Sequence, residues 1–164
     1  MPDVTIRAAR GDDFHAIAAI TNLYIATTAI HFAYDPVTAE ELAVRRAKEP
    51  RYPWLVADDG TVVLGFAKAG MWRERAAYVR TCETGIYLDP RACGRGVGSA
   101  LYAALLVELA SAGFRSAVAG ITLPNPASVA LHQRLGFTSV GIVREAGFKL
   151  GRWHDVGFWQ KLLA

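Results

Sequence analysis

The stretch Ala92 to Leu101, ACGRGVGSAL, sets glycines at 94, 96 and 98 directly ahead of an apolar-striped helix. Few folds place such a loop there. The first turn of a helix leaves backbone N–H groups without partners inside the helix, and residues lacking a Cβ let the chain turn so that these donors converge on an anion. The expected occupant carries phosphate. A nucleoside-triphosphate loop would end in Gly-Lys-Ser or Gly-Lys-Thr, and a dinucleotide fold would put GxGxxG after the first strand with an acidic residue beyond the second. Neither pattern is present. A tight strand-to-helix turn without a ligand is the competing explanation of the three glycines.

Around the loop, strand and helix patterns alternate. Val4 to Ala8 reads as an opening strand, and Gly11-Asp12-Asp13 leads into a helix with Phe14, Ile17, Ala18, Ile20 and Tyr24 at three- and four-residue spacings. Thr38 is placed to cap a polar helix from about Ala39 to Lys48, with Glu40 and Glu41 in the first turn, where the helix dipole favours negative charge. Trp54 to Ala57, the turn Asp58-Asp59-Gly60 and Thr61 to Ala69 follow a β-hairpin pattern, and a third strand is expected from about Tyr78 to Leu88. Beyond the glycine loop, Leu101, Tyr102, Leu105, Leu106 and Leu109 stripe a helix that ends at Gly113. Phe114 to Leu123 supplies another strand. Asn125 caps a helix with Pro126 at its first position, and Gly136 marks its end. Phe137 to Val143 and Trp153 to Leu162 close the chain as two strands. The expected fold is α/β, one domain over residues 1–164 with a mixed sheet and helices on both faces.

With 164 residues, 52% hydrophobic and 20% charged, the chain can core one globular domain and is too apolar for a disordered polymer. A formal charge of +3 without a run of Lys or Arg gives no reason to expect nucleic acid. Cys82 and Cys93 form no CxxC pair, and neither a signal peptide nor a membrane-spanning run is apparent. A reduced, cytoplasmic protein with no membrane partner is therefore expected. His15, His31, His132 and His154 show no ligand spacing, so no metal is expected.

The segments RACGRGVGSAL, LPNPASVALHQRLGF and REAGFKLGRWHDVGFWQ, with RYPWLVA at Arg51 to Ala57, resemble the GNAT N-acetyltransferase superfamily and, within it, the phosphinothricin acetyltransferases. The likeness runs from about Ile6 to Gln160 and keeps the spacing between segments. It implies the GNAT fold, a mixed, mostly antiparallel central sheet flanked by helices, and acetyl-CoA as co-substrate. It also implies a pantetheine arm alongside Ile86, Tyr87 and Leu88, with pyrophosphate on Gly94, Arg95, Gly96, Val97, Gly98 and Ser99. Asn125 resembles the family's coenzyme-A-binding asparagine while remaining a good helix cap. One departure is Cys93, which stands where the superfamily pattern carries Gln or Arg. Backbone donors are unaffected by it, and the loss of one side-chain hydrogen bond costs about 1 kcal/mol. Cys93 reads as inert, with no Cys/His pair nearby in sequence. A homodimer is a further implication of the resemblance.

Acetyl transfer to an amine needs the amine neutral, hence a base. Glu83 in CETGIYL resembles the family's proposed base; a solvated strand carboxylate is the plainer alternative. His132 stands where many relatives carry a tyrosine thought to protonate the departing thiolate, and an imidazole of pKa about 6.5 can act as acid or second base. Helix packing is its alternative. Amides at Gly85, Ile86 and Leu88 are candidates to stabilise the oxyanion.

On the acceptor side the resemblance points to Phe32, Arg73, Glu74, Arg75 and Tyr78, together with Glu83, Thr84 and Gly85. Arginine's planar fork suits a carboxylate or phosphinate oxygen pair, whereas Glu74 would repel such an anion if it pointed inward. Trp72, Trp153 and Trp159 read as core or interface packing. The expected activity is acetylation of a small-molecule amine, with phosphinothricin, methionine sulfoximine and methionine sulfone foremost. A protein N-terminal or polyamine acetyltransferase and a non-catalytic coenzyme-A sensor are the alternatives.

Overall fold

The computed structural model describes residues 4–164. In chain order it runs β1 (Thr5–Ala8), α1 (Phe14–Thr27), α2 (Ala39–Lys48), β2 (Trp54–Asp58), β3 (Val63–Met71), β4 (Thr81–Leu88), α3 (Val97–Ser111), β5 (Ser116–Thr122), α4 (Pro126–Arg134), β6 (Thr138–Lys149) and β7 (Arg152–Leu162). The seven strands form one sheet in the order β1-β2-β3-β4-β5-β7-β6. Every pairing is antiparallel except β4 with β5. The expected α/β fold is the one observed.

Local chemistry accounts for the element ends. Thr38 Oγ1 accepts from the Glu41 amide at 3.1 Å, and Glu41 Oε2 accepts from the Thr38 amide at 2.8 Å. This reciprocal pair contributes about 1 kcal/mol and starts α2 at the expected residue. Asn125 Oδ1 accepts from the Ser128 amide at 3.2 Å, which makes it the cap of α4 as the sequence suggested.

Two expectations change. The third strand begins at Thr81 and not at Tyr78, because Ala76–Tyr78 forms a 3-10 turn within an exposed connection that finds no strand partner until Thr81 meets Ser116 and Cys82 meets Met71. The penultimate strand continues past Val143 to Lys149. It does so across two breaks in register, one at Gly141 and one between Val143 and Gly147, where Glu145 takes φ 48°. The exposed Arg144-Glu145-Ala146 segment that hides a strand pattern in the sequence is the stretch these irregularities absorb.

Side-chain alternation divides the core between the two faces of the sheet. On one face, Leu101, Tyr102, Leu105 and Leu109 of α3 are fully buried against Leu55, Ala67 and Ala117. Each such leucine is worth about 1.5–3 kcal/mol of burial. On the other face, α1 and α2 bring Phe14, Ile17 and Leu42 onto Trp54, Val56 and Phe66. Trp159 belongs to the first core, Trp72 packs edge-on to Phe158, and Trp153 lies exposed against Phe148.

The break that matters lies between β4 and β5. They pair only at Thr81–Ser116, Cys82–Ala117 and Glu83–Val118. Beyond Glu83, β4 stays with β3 to Leu88 while β5 stays with β7 to Thr122, and a gap opens between them. Cys82, Ile86 and Leu88 face α3 and α4; the intervening Glu83, Gly85 and Tyr87 face α1 and α2.

Candidate active site

Along the α3/α4 side of the gap runs a groove of about 580 Å³ between the end of β4, the glycine loop and α4. Gly94 and Gly96 sit at φ 74° and 79°, left-handed conformations that a side chain would strain by roughly 1–2 kcal/mol. Gly98 has a different reason to be small: a Cβ there would come within 3.2 Å of Leu88 Cδ1, so the Leu88 side chain would have to give by a few tenths of an ångström. The glycines thus combine a backbone turn with a close helix approach, and the first amides of α3 are left facing the groove.

Ile86, Tyr87, Leu88, Gly94, Gly96, Gly98, Ser99 and Asn125 all line this groove, as the sequence suggested. Arg95 and Val97 do not. Arg95 is exposed, and Val97 is buried in the α3 core because the helix turns it inward. Cys93 lines the groove and is exposed, while Cys82 is buried, its thiol pushed up to about 12 by burial. Sequence reasoning named Asn125 at the cap of α4 but missed Tyr24 and Ile30 on the α1 side of the groove and, within α4, Ala127, Ala130, Leu131 and Arg134, which form a single stripe. Their spacing of three, four and seven residues was the available signal. Among the described residues Arg134 is the only cation lining the groove. Backbone donors at one end, an apolar strand edge at the other and one arginine fit the phosphates and the pantetheine arm of acetyl-CoA.

The α1/α2 side of the gap holds a second cavity of about 280 Å³, lined by Glu83, Lys68, Arg45, Glu49, Trp54 and Tyr87, with Gly70, Gly85 and Gly120 bare of side chains. Glu83 keeps contact with solvent, yet the walls around it raise its pKa; the charges of Arg73 and Lys68 only partly oppose that effect. Burial lifts Tyr87 to about 12, so its phenol stays protonated. A narrow space of about 50 Å³ between the splayed strands joins the two sides, lined by Thr84, Gly85 and Ile86 of β4 and Ala119 to Thr122 of β5.

His132 borders that narrow space from the α3/α4 side, opposite in facing to Glu83. Its Nδ1–H donates to the Ser128 carbonyl at 2.7 Å, leaving Nε2 to accept from the Tyr102 hydroxyl at 3.0 Å. The Tyr102 oxygen lies 2.6 Å from Thr84 Oγ1. Thr84, Tyr102 and His132 are all buried, and burial lowers the pKa of His132, keeping it neutral. Both ring nitrogens are therefore engaged within the protein.

The remaining acceptor-side residues lie apart. Arg73, Glu74, Arg75 and Tyr78 line an adjacent open depression that meets the Glu83 cavity at Met71, and the Arg73 guanidinium lies 4.3 Å over the Trp72 ring. Glu74 thus does not enter the Glu83 cavity. Phe32 packs against His154 and occupies the space a Cβ at Gly147 would need, joining the loop after α1 to the β6/β7 hairpin. Lys149, buried, ties the last turn of α1 and that loop together by donating to the carbonyls of Ile25 and His31, each at 2.6 Å. Among the described residues there is no metal-binding cluster, and no helix is long and apolar enough to cross a membrane.

A sheet split at its centre, with a glycine-rich helix start on one side and a carboxylate cavity on the other, fits a coenzyme-A-dependent acyl transferase. The chain belongs to the acetyltransferase (GNAT) family, whose profile matches residues 13–137, and it is an acetyl-CoA-dependent N-acetyltransferase. It is 46% identical over 159 residues to a phosphinothricin N-acetyltransferase of Streptomyces viridochromogenes, covering 96% of this chain and 87% of that one. It is 37% identical to an L-methionine sulfoximine/L-methionine sulfone acetyltransferase of Salmonella typhimurium, covering 96% and 93%. Among solved structures, a phosphinothricin acetyltransferase from Sinorhizobium meliloti in complex with acetyl-CoA superposes with a TM-score of 0.93 at 36% identity, covering 100% and 90%.

Proposed function

We propose that this enzyme acetylates the amine of a small amino acid analogue, with phosphinothricin, methionine sulfoximine and methionine sulfone as the foremost acceptors. The observation that carries the reading is the junction at the β4/β5 gap, where the Glu83 cavity and the glycine-loop groove share Tyr87 and communicate through the space beside Gly85. The names of the relatives support the acceptor class.

An aliphatic amine is mostly protonated near neutral pH and has no lone pair to offer until a base removes the proton. Glu83 takes it. Its raised pKa makes it a stronger base than an ordinary carboxylate, and its contact with solvent lets it return the proton to water. Acetyl-CoA, when bound in the groove, supplies the thioester carbonyl and a thiolate leaving group. Amides of β4 that face the gap donate to the carbonyl oxygen. His132 acts through Tyr102, positioning Thr84 at the gap, and the thiolate is protonated from solvent.

Incubating the purified protein with acetyl-CoA and a panel of the three analogues, common amino acids, polyamines and short peptides tests this, with thiol release and product mass as readouts. Acetylated analogues are expected. Product from peptides or polyamines alone would assign another acceptor class, and cofactor binding without any product would point to a sensor.

The terminal strands support a homodimer, with a second copy covering the exposed Val140, Ile142 and Val143 of the edge strand β6 together with Phe148 and Trp153. Light scattering at micromolar concentration is expected to give twice the chain mass; a monomer would remove this assignment.

A further inference from the structure

Lys68 interrupts an otherwise apolar strand, GFAKAGM, and nothing in the reaction described so far uses it. It lies opposite Trp54 on β2 and Gly85 on β4, its ammonium 4.8 Å over the Trp54 ring. It therefore shares the α1/α2 face with Glu83, one diagonal position away, at roughly 7–8 Å between backbones. Both line the same cavity, yet neither takes part in any ion pair within 4.0 Å among the described residues. Between them the floor is glycine backbone: Gly85 faces Lys68 and Gly70 faces Glu83; a Cβ built at Gly70 would meet no atom within 4 Å, and one at Gly85 would meet only the Tyr87 ring, at 3.7 Å.

This arrangement is a cation and an anion held apart across an open floor. A molecule that spans it must present an amine to Glu83, beside the gap, and a negative group to Lys68. A free α-amino acid does both with groups on one carbon. A peptide N-terminus offers a neutral amide in place of the carboxylate, and a polyamine brings a second positive charge to the place opposite Glu83 where Lys68 stands, with Arg45 and Glu49 of opposite sign further along the same lining. We propose that Lys68 anchors the α-carboxylate of the acceptor, so that the enzyme selects free α-amino acids over peptide N-termini and polyamines. The proposal rests on Glu83 receiving the amine. Consistent with it, the pKa of Lys68 falls to about 8 because burial and Arg45 oppose its charge and Glu83 offsets them only in part. The lysine thus lacks a full counter-charge within the protein, and a bound carboxylate supplies one.

The test compares methionine sulfone with its carboxamide in the native enzyme, Lys68→Met and Lys68→Arg, at a pH near 7. Comparing the acid-to-amide ratio of kcat/KM between the proteins cancels the difference in amine basicity between the two substrates. Lys68→Met is expected to lower kcat/KM for the acid about 30- to 100-fold, the size of a lost charge-assisted hydrogen bond. The amide should change less than about threefold, the KM for acetyl-CoA should not move, and Lys68→Arg should recover most of the ratio. Parallel losses for acid and amide, or an unchanged ratio in Lys68→Met, would overturn the anchor. Calorimetric binding of methionine sulfone to the coenzyme-A-bound enzyme gives a readout independent of turnover: binding that weakens in Lys68→Met but persists in Glu83→Gln supports the anchor even if Glu83 proves not to be the base. A native enzyme that acetylates only peptides or polyamines overturns both readings.

Discussion

The two sides of the central sheet, proposed above to take coenzyme and acceptor, are built by different means. The coenzyme groove is made largely of backbone and small residues: glycines 94, 96 and 98, the start of α3 and the edge of β4. The acceptor cavity is made of charged and aromatic side chains delivered by three elements, Arg45 from α2, Lys68 from β3 and Glu83 from β4. Backbone recognition resists substitution of side chains and is set by chain conformation. Side-chain recognition is set residue by residue, so one exchange at Lys68 can redirect the acceptor while the coenzyme side stays as it is.

The strongest way to break this comparison is Glu83→Gln, which keeps the cavity's shape and removes its base. Its kcat is expected to fall about 10²- to 10⁴-fold with acetyl-CoA affinity unchanged, as read by steady-state kinetics and calorimetry. Full activity across pH would remove Glu83 from the chemistry. On the other side, Gly96→Val places a branched side chain at φ 79° and should weaken acetyl-CoA binding about tenfold while leaving the acid-to-amide preference intact. A changed preference would show that the two sides are not separable.

The pH profile sharpens the comparison further. As the proposed base Glu83 must be deprotonated, and its pKa is raised, so kcat/KM should decline on the acid side through a pKa above the ordinary carboxylate value. Arg73 lowers that pKa, so Arg73→Met should move the acid limb upward, whereas Arg134→Met in the coenzyme groove should leave it in place. The smallest effect expected on the chemistry is that of Tyr102→Phe. It leaves His132 Nε2 buried without its donor, at about 1–3 kcal/mol of stability. The melting temperature should drop about 2–4 °C for each kcal/mol.

How much of this could be read from the chain follows the same division. The glycine loop and the helix caps at Thr38 and Asn125 are legible because their residues are contiguous and their geometry is local. The acceptor cavity is not, since Arg45, Lys68 and Glu83 become neighbours only through strand register and the packing of α2. A lone lysine in an apolar strand was the visible clue. Segment Arg73 to Tyr78 lies near Glu83 in sequence, yet the turn at Ala76–Tyr78 turns it into the neighbouring depression. The proton-transfer role expected of His132 came from residue type, whereas its hydrogen bonds to Ser128 and Tyr102 are visible only in the tertiary structure.

The opening between β4 and β5 makes the sheet a partition with a single window. On the proposed assignment, acceptor and coenzyme approach from opposite rooms and meet at the sill, so neither would block the other's way in or out. Loading order should then be free, with both partners present together at the moment of transfer and no acetylated protein along the way. Initial-rate lines for varied acetyl-CoA at several acceptor concentrations are expected to intersect. Parallel lines would mean that the acetyl group waits on the protein while one substrate departs.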